Sequence, residues 1–255
     1  MRPLPALLRS LAPAALLAGA PLAAMAQMAV CSSDGQPPPR ALYERFLSAD
    51  CESCWADVPA AAPGDAALLL DWIVPGRSGD DAPLSAAATR DALDRLEALG
   101  RTPPGTTDTA VSDVAPAGAA PGRLRVSLGP PLNDYVGTTI ALVPAPVRGG
   151  ARPLRPGARY TFTLLLIQTV PASSEGNAAP RHLVRNALQG TWVAGAGRVQ
   201  TGWSELRPMR VPDGADVQRL GVAGWLQDAD GTVIAAAQAR CAAGADAAAT
   251  GNAAK

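Results

Sequence analysis

The spacing of hydrophobic and polar residues predicts an α/β arrangement in the first part of the chain. Residues 41–48 (ALYERFLS) are typical of a short strand, and the apolar run in residues 66–76 (AALLLDWIVPG) is typical of a strand buried on both faces. Residues 55–62 between them predict a short helix. In residues 79–100, apolar side chains recur at helical spacing: Leu84, Ala88, Ala92, Leu96 and Leu99. This order of elements predicts a sheet of the parallel type.

The pattern changes after residues 113–122, a stretch rich in Ala, Gly and Pro that we predict to be an interdomain linker. Beyond it, roughly seven or eight short apolar or β-branched segments are separated by Gly and Pro, which is typical of an antiparallel sandwich. These segments are LRVSLG, DYVGTTIALVP, RYTFTLLLIQT, RHLVRNAL, TWVAG, LRPMRVP, QRLGVAGWLQ and TVIAAAQAR. Residues 228–231 predict a hairpin turn between the last two. Residues 242–255 have no periodicity and are predicted to be disordered.

The start of the chain predicts export. Residues 1–26 combine basic residues, Arg2 and Arg9, with an apolar run over 11–24 and small residues before Gln27, which is the layout of a secretory signal peptide. We therefore expect a periplasmic or secreted protein, and no later segment is predicted to span a membrane. The 22 basic and 22 acidic residues balance, which argues against a nucleic-acid partner.

The chain contains four cysteines: Cys31, Cys51, Cys54 and Cys241. An even number in an exported protein predicts two disulfides. The spacing favours a bridge between Cys51 and Cys54, which leaves Cys31 and Cys241 to each other. A structural zinc site usually takes two pairs of nitrogen or sulfur ligands, and the only histidine is His182, so no metal site is predicted.

The Cys-x-x-Cys pair lies between a predicted strand and a predicted helix. This position places the sulfur of Cys51 at the helix start, where free N–H groups stabilise a thiolate. The flanking carboxylates of Asp50 and Glu52 oppose that effect and should raise the pKa of Cys51. The bridge is therefore either a redox-active pair or a structural staple, and the sequence leaves both interpretations open.

Other polar residues carry weaker functional signals. Asp71, Asp80 and Asp81 fit a groove near the cysteines, but a solvated strand end followed by a turn leading into a helix is the preferred interpretation. A lone His182 on a strand is typical of a structural or exposed residue, and no nucleophile elbow accompanies it, so a hydrolase is not predicted.

Residues 44–57 (ERFLSADCESCWAD) resemble the opening of a family of exported proteobacterial proteins that have a thioredoxin-like fold and no assigned function. The signature of that family runs roughly E-L-F-T-S-Q-G-C-S-S-C-P-P-A-D. The matching positions here are Glu44, Phe46, Ser48, Cys51, Ser53, Cys54, Ala56 and Asp57. Residues 175–188 and 224–238 are similar to later segments of the family. With Ala56 and Asp57 matched, the single residue Trp55 stands where the family has Pro-Pro.

The resemblance implies an α+β protein, with an abbreviated thioredoxin-like α/β domain at 36–112 followed by an antiparallel β-sandwich-like domain at 123–241. Proteins of this fold have a cis-proline that faces the cysteines and helps to dock a partner chain, and Pro103 is the candidate for it; the alternative is that Pro103 is an ordinary loop proline before Pro104. The implied function is thiol–disulfide exchange or redox sensing on protein thiols or disulfides in the periplasm. Cys51 would attack, Cys54 would resolve the mixed disulfide, and no cofactor is required. The alternative is a non-catalytic binding or interaction module with structural disulfides. The oligomeric state is not indicated.

Overall fold

The computed structural model describes six stretches of the chain: residues 31–57, 66–116, 122–144, 157–195, 202–239 and 241. The predicted signal peptide at 1–26 and the predicted tail at 242–255 lie outside them, as do residues 117–121 of the predicted linker.

The described residues form eleven β-strands and two α-helices. The strands are β1 (Cys31–Ser32), β2 (Ala41–Ser48), β3 (Ala67–Val74), β4 (Thr107–Asp113), β5 (Gly122–Leu132), β6 (Tyr135–Pro144), β7 (Arg159–Val170), β8 (Arg181–Val193), β9 (Trp203–Arg210), β10 (Leu220–Gln227) and β11 (Val233–Ala239). The α-helices are α1 (Glu52–Ala56) and α2 (Arg90–Ala98). Short 3-10 turns occur at Gly79–Asp81, Ser85–Ala87 and Val217–Arg219. Neither α-helix of this part of the chain is long and apolar enough to cross a membrane.

The strands are arranged in two sheets. A four-stranded sheet has the order β1-β5-β6-β9, and a seven-stranded sheet has the order β11-β10-β7-β8-β3-β2-β4. In the second sheet β3 pairs in parallel with β2 and, where Asp71 aligns with Leu183, with β8. Val114, just after β4, forms a bridge with Val233 of β11, and the Ala115 N–H donates to the Val233 carbonyl at 2.9 Å. The seven-stranded sheet therefore curls until its two edge strands meet.

Buried apolar residues form three clusters around the curled sheet. The largest lies between the four-stranded sheet and one face of β7, β10 and β11, and includes Ile140 and Leu164. A second packs α2 against the other face, where Leu96 and Trp225 meet β2 and β3. The third is small and joins α1 to the sheet through Leu47, Trp55, Ile73, Val170 and Leu183. Strands β2 and β3 are thus covered on both faces, as their apolar sequences predict.

The predicted fold class is wrong. The described residues are mostly β and form two sheets, with α1 and α2 as their only α-helices, so they do not form an abbreviated thioredoxin-like α/β domain followed by an antiparallel β-sandwich. The physical reason is that β2, β3 and β4 do not make a sheet covered by helices. They extend the sheet to which β7, β8, β10 and β11 also belong, and the four-stranded sheet covers only part of it. The boundaries 36–112 and 123–241 stay a prediction.

Several predicted elements agree with the structure and one is shorter than predicted. The strands at 41–48 and 66–76 are β2 and β3, and the turn at 228–231 joins β10 to β11 through a Gly231 N–H bond to the Asp228 carbonyl at 3.1 Å. The helix predicted over 79–100 is confined to α2. Pro83 disfavours helical backbone at Ala82, which is extended with ψ 139°, and α2 begins only after Thr89, whose side chain accepts from the Ala92 N–H at 3.3 Å.

A buried ion pair ties α2 to the sheet. Glu44 in β2 is 0% exposed, and its carboxylate accepts from Arg95 Nε at 2.9 Å and from Arg95 Nη2 at 2.6 Å. The Trp72 indole N–H donates to the same carboxylate at 3.2 Å. The Arg95 guanidinium lies over the Trp225 ring, 4.9 Å from its centroid. The charge is therefore removed from water but fully hydrogen-bonded, which a buried carboxylate requires.

Candidate functional site at the paired cysteines

The Cys51–Cys54 pair lies where the chain passes from β2 into α1. The two residues form a disulfide with their Cα atoms 5.3 Å apart, and both are partly exposed. Cys51 directly precedes α1, and its N–H donates to the Ser48 carbonyl at 3.0 Å, which turns the chain away from the sheet. Because β2 and β3 are parallel, the loops that follow them meet at one edge of the sheet. Cys51 lies at the predicted position between a strand and a helix, whereas Cys54 lies within α1, which begins before the helix predicted over 55–62. Residues 58–62 of that predicted helix lie outside the described residues.

The acidic neighbours of Cys51 differ in their surroundings. The Asp50 carboxylate accepts from the Arg77 N–H at 2.7 Å and from the Ser78 N–H at 3.2 Å, whereas Glu52 is exposed. The Arg77 hydrogen bond holds the pKa of Asp50 below its usual value, so this carboxylate stays ionised at neutral pH. The Ser53 hydroxyl lies 3.6 Å from Cys51 Sγ. The residue before Cys51 in the chain is thus negatively charged at neutral pH.

Gly76 leaves the space that the Asp50 carboxylate occupies. A Cβ added at Gly76 would collide with the carboxylate, so we expect Gly76→Ala to break its bonds to the 77–78 loop. The pKa of Asp50 should then rise towards the ordinary aspartate value of about 3.9. In wild type, the lowered pKa of Asp50 stabilises the fold at pH values above the ordinary aspartate pKa, and this stabilisation is lost as the pH falls through the folded-state pKa. Gly76→Ala lacks this contribution, so its free energy of unfolding should fall less than that of wild type on acidification.

A carbon-13 NMR titration of the Asp50 carboxyl measures this change. Gly105→Ala is the matched control, because a Cβ at that loop glycine meets no atom within 4 Å. An unaltered Asp50 titration in Gly76→Ala would contradict the steric argument.

The inner side of α1 rests on Arg181, the first residue of β8. Arg181 is 1% exposed, and its Nη2 donates to the carbonyls of Cys54 at 3.1 Å, Trp55 at 2.6 Å and Asp57 at 2.7 Å. The guanidinium also lies over the Trp55 ring, 5.2 Å from its centroid. The last carbonyls of a helix have no partner within the helix. Here the buried Arg181 guanidinium is the hydrogen-bond donor to these carbonyls.

Arg181 is held in turn by Asp71. Asp71 is 0% exposed in the middle of β3, so the prediction that it lies at a solvated strand end is wrong. Its carboxylate accepts from Arg45 Nη2 at 2.8 Å and from the His182 N–H at 2.9 Å, and lies 3.5 Å from Arg181 Nη1. Burial lowers the pKa of Arg181, and the Asp71 charge opposes that shift and favours the cation. The sequence pattern singles out Asp71 but not its partners, because Arg45, Asp71 and Arg181 come from three different strands.

The segment between β7 and β8 is hydrogen-bonded to α1. The Trp55 indole N–H donates to the Glu175 carbonyl at 2.7 Å, and the Ala178 N–H donates to the Ala56 carbonyl at 3.0 Å. The Asn177 side-chain amide donates to the Pro171 carbonyl at 3.1 Å and to the Ala179 carbonyl at 2.7 Å. Residues 171–181 therefore form a braced support for the cysteine turn.

Pro103 does not have the predicted conformation. The described residues contain no cis peptide bond, so the expectation that Pro103 is a cis-proline is wrong. Pro103 is exposed in the loop before β4. The Ser48 N–H donates to the Thr106 carbonyl at 2.8 Å, which puts this loop at the same sheet edge as the cysteines. Its role in docking a partner stays a prediction.

The second bridge joins the two ends of the described chain. Cys31 and Cys241 form a disulfide with Cα atoms 5.1 Å apart, as the cysteine count predicts. Cys31 begins β1, which pairs with β5, and both cysteines pack against the core between the sheets. Over the described residues, no three His, Cys, Asp or Glu side chains are grouped as a metal site.

Comparisons with known proteins leave the family open. No protein-family model matches the sequence, and no curated protein matches it significantly.

Proposed function

We propose that this protein carries out thiol–disulfide exchange with protein thiols or disulfides through Cys51 and Cys54. The observation that supports the proposal is the position of the pair: a partly exposed disulfide at a strand-to-helix junction, on a sheet edge where three loops meet. A bridge that served only to stabilise the core would not need to be accessible at such an edge. Exposure is a condition for attack by an incoming thiolate.

The exchange needs no cofactor, because the electrons move through the sulfur atoms. In the reduced protein, the Cys51 thiolate attacks a partner disulfide, forms a mixed disulfide and releases one partner thiolate. The Cys54 thiolate then attacks Cys51 Sγ, which re-forms the Cys51–Cys54 bridge and releases the second partner thiolate. The partner disulfide is reduced to two thiols and the Cys51–Cys54 dithiol is oxidised, and the reverse reaction oxidises a partner.

The charges around the pair favour the reducing direction over strong oxidation. A strongly oxidising pair has a reduced form stabilised as a thiolate. Here the ionised Asp50 directly precedes Cys51 and disfavours a second negative charge, and α1 is only five residues long. We therefore expect the reduced form to gain little thiolate stabilisation.

The compartment that fits this chemistry is oxidising. The protein contains two disulfides, which persist in exported proteins and are rare in the cytosol. Together with the signal peptide expected at residues 1–26, this favours the periplasm, where folding proteins offer both thiols and disulfides as partners.

One observation favours a second candidate, a non-catalytic interaction module. Trp55 of α1 is buried and its carbonyl accepts from the buried Arg181, so the bridge also holds a turn that belongs to the fold. In that case the Cys51–Cys54 disulfide is permanent.

Insulin reduction by dithiothreitol, with and without the protein, separates the two functions. Under thiol–disulfide exchange, wild type accelerates the precipitation of the insulin B chain, and Cys51→Ser abolishes the acceleration because the attacking sulfur is gone. Cys31→Ser/Cys241→Ser is the matched control, since it removes the other bridge and should keep the activity in the folded protein. If wild type and Cys51→Ser behave alike, the exchange function is rejected in favour of the interaction module.

A further inference from the structure

Helix α1 depends on contacts outside itself for its shape. It has five residues, and its first residue follows Cys51 without any side-chain cap. A segment of this length does not hold a helical turn in water by itself. Once the disulfide is reduced, the bridge no longer constrains the turn, so the distance between the two thiols depends on the remaining contacts.

Arg181 supplies three of those contacts from a single group. Its Nη2 donates to the carbonyls of Cys54, Trp55 and Asp57. The Trp55 ring, with its centroid 5.2 Å from the guanidinium carbon, and the Asp71 carboxylate, 3.5 Å from Nη1, restrict the movement of the guanidinium. Asp71 is in turn bonded to Arg45 and to the backbone of β8. Arg181 thus connects the backbone of Cys54 to Asp71 and Arg45, which are buried in the seven-stranded sheet.

We infer that Arg181 is a positioning residue that holds Cys54 where its sulfur meets Cys51, and thereby favours the disulfide over the dithiol. The inference rests on the proposed exchange at this pair and adds a determinant that lies 127 residues from Cys54 in the chain. Arg181 touches no reacting sulfur. It acts by keeping the two thiols at a high effective concentration, which is the quantity that sets how readily a dithiol closes.

The charge of Arg181 alone would act in the opposite direction. A cation near Cys54 stabilises the thiolate that reduction produces, and so favours the dithiol. Removal of Arg181 therefore shifts the redox equilibrium towards the dithiol if the residue works by position, and towards the disulfide if it works by charge. The sign of the shift distinguishes the two.

The test is a redox titration of the full chain against mixtures of reduced and oxidised glutathione. Alkylation of free thiols and mass mapping report the Cys51–Cys54 pair separately from Cys31–Cys241. In Arg181→Met, we expect the equilibrium constant for bridge formation to fall about tenfold, which raises the reduction potential of this two-electron couple by about 30 mV. In Arg181→Lys, which keeps the charge but lacks the planar fork, the constant should also fall, by a smaller factor.

Two controls separate positioning from general destabilisation. Arg185→Met removes another buried arginine from β8, 8% exposed, whose Nη2 donates to the Asp213 carbonyl at 3.2 Å and not to α1. Its potential should equal that of wild type. Near-ultraviolet circular dichroism reports whether each variant is folded, and if Arg181→Met does not fold, Arg181→Lys carries the test, because it leaves Asp71 with a cationic partner.

An unchanged or lower potential in the Arg181 variants overturns the inference, and so does an equal shift in Arg185→Met. The insulin assay is independent of this result. If the potential rises as expected but wild type fails to accelerate insulin reduction, the positioning role stands and the exchange function falls. If wild type accelerates insulin reduction and the potential of the Arg181 variants does not change, the exchange function stands and the positioning role is rejected.

Discussion

Removal of the Cys31–Cys241 bridge is expected to lower the free energy of unfolding by about 4–5 kcal/mol. The two cysteines are 210 residues apart, so the bridge closes a loop that contains almost every described residue. A cross-link of this length removes a large part of the conformational entropy of the unfolded chain. Domains of ordinary stability unfold at a cost of about 5–15 kcal/mol, so the loss is a large fraction of the total.

Urea denaturation of Cys31→Ser/Cys241→Ser, followed by far-ultraviolet circular dichroism, measures this effect. Cys51→Ser/Cys54→Ser is the control, because its bridge closes a ring with a sequence separation of only 3 and should contribute no more than about 2 kcal/mol. The entropic argument fails if the long-loop variant loses less than about 1 kcal/mol, or if the two variants lose the same amount.

Breaking the buried pair of Glu44 and Arg95 is the second large effect. In Arg95→Met the Glu44 carboxylate stays fully buried and keeps only the Trp72 N–H at 3.2 Å. An uncompensated charge of this kind lowers the free energy of unfolding by about 3–5 kcal/mol. Replacing both partners, as in Glu44→Leu/Arg95→Met, removes the stranded charge, so the double variant should be more stable than Arg95→Met.

Chemical denaturation of both single variants and the double variant completes the cycle. Asp94→Asn is a suitable control on the same helix, because Asp94 and Arg90 form an exposed pair, with side chains 62% and 87% exposed and 3.9 Å apart. That variant should change the stability by less than about 0.5 kcal/mol. If Arg95→Met is no worse than Asp94→Asn, or if the double variant is less stable than Arg95→Met, the ion pair does not act as described.

The local part of the fold could be predicted from the sequence. The apolar run around Leu70 and the β-rich segments after residue 122 correspond to strands, because side-chain periodicity reports which faces are buried. The helix predicted over 79–100 is too long at its start, because the Ala-rich residues 85–88 fit a helical pattern as well as they fit a 3-10 turn. Pro83 accounts only for the extended backbone of Ala82, and α2 begins after the extended residues Ala88 and Thr89.

The contacts between distant strands of the seven-stranded sheet could not be predicted. Strand β3 meets β8 in a register that aligns Asp71 with Leu183, and β4 meets β11 through Val114 and Val233. Such contacts between distant segments leave no periodic trace in either segment. The predicted combination of an α/β half and a sandwich follows from the local patterns, most of which correspond to observed elements, and the fold class is still wrong.

The candidate site could likewise be predicted from the sequence only in part. The cysteines and their position before a helix follow from spacing and neighbouring elements. Arg181, Asp71 and Glu175 do not, because polar residues scattered over β3, β8 and a loop look like ordinary interruptions of apolar sequence until the fold brings them together. Burial makes Asp71 and Arg181 part of the support of the cysteine turn, whereas the exposed Glu175 contributes its backbone carbonyl.

If the protein is exported as proposed, the positions of its cysteines have a consequence for how it matures. Cys241 lies 210 residues after Cys31, while Cys51 and Cys54 follow Cys31 closely. Until Cys241 has reached the oxidising compartment, every disulfide that Cys31 forms with Cys51 or Cys54 is non-native. Such pairings are undone only by further thiol attack, which takes seconds to hours. The yield of native protein therefore depends on disulfide reshuffling after translation, and an isomerase should raise it more than an oxidant does.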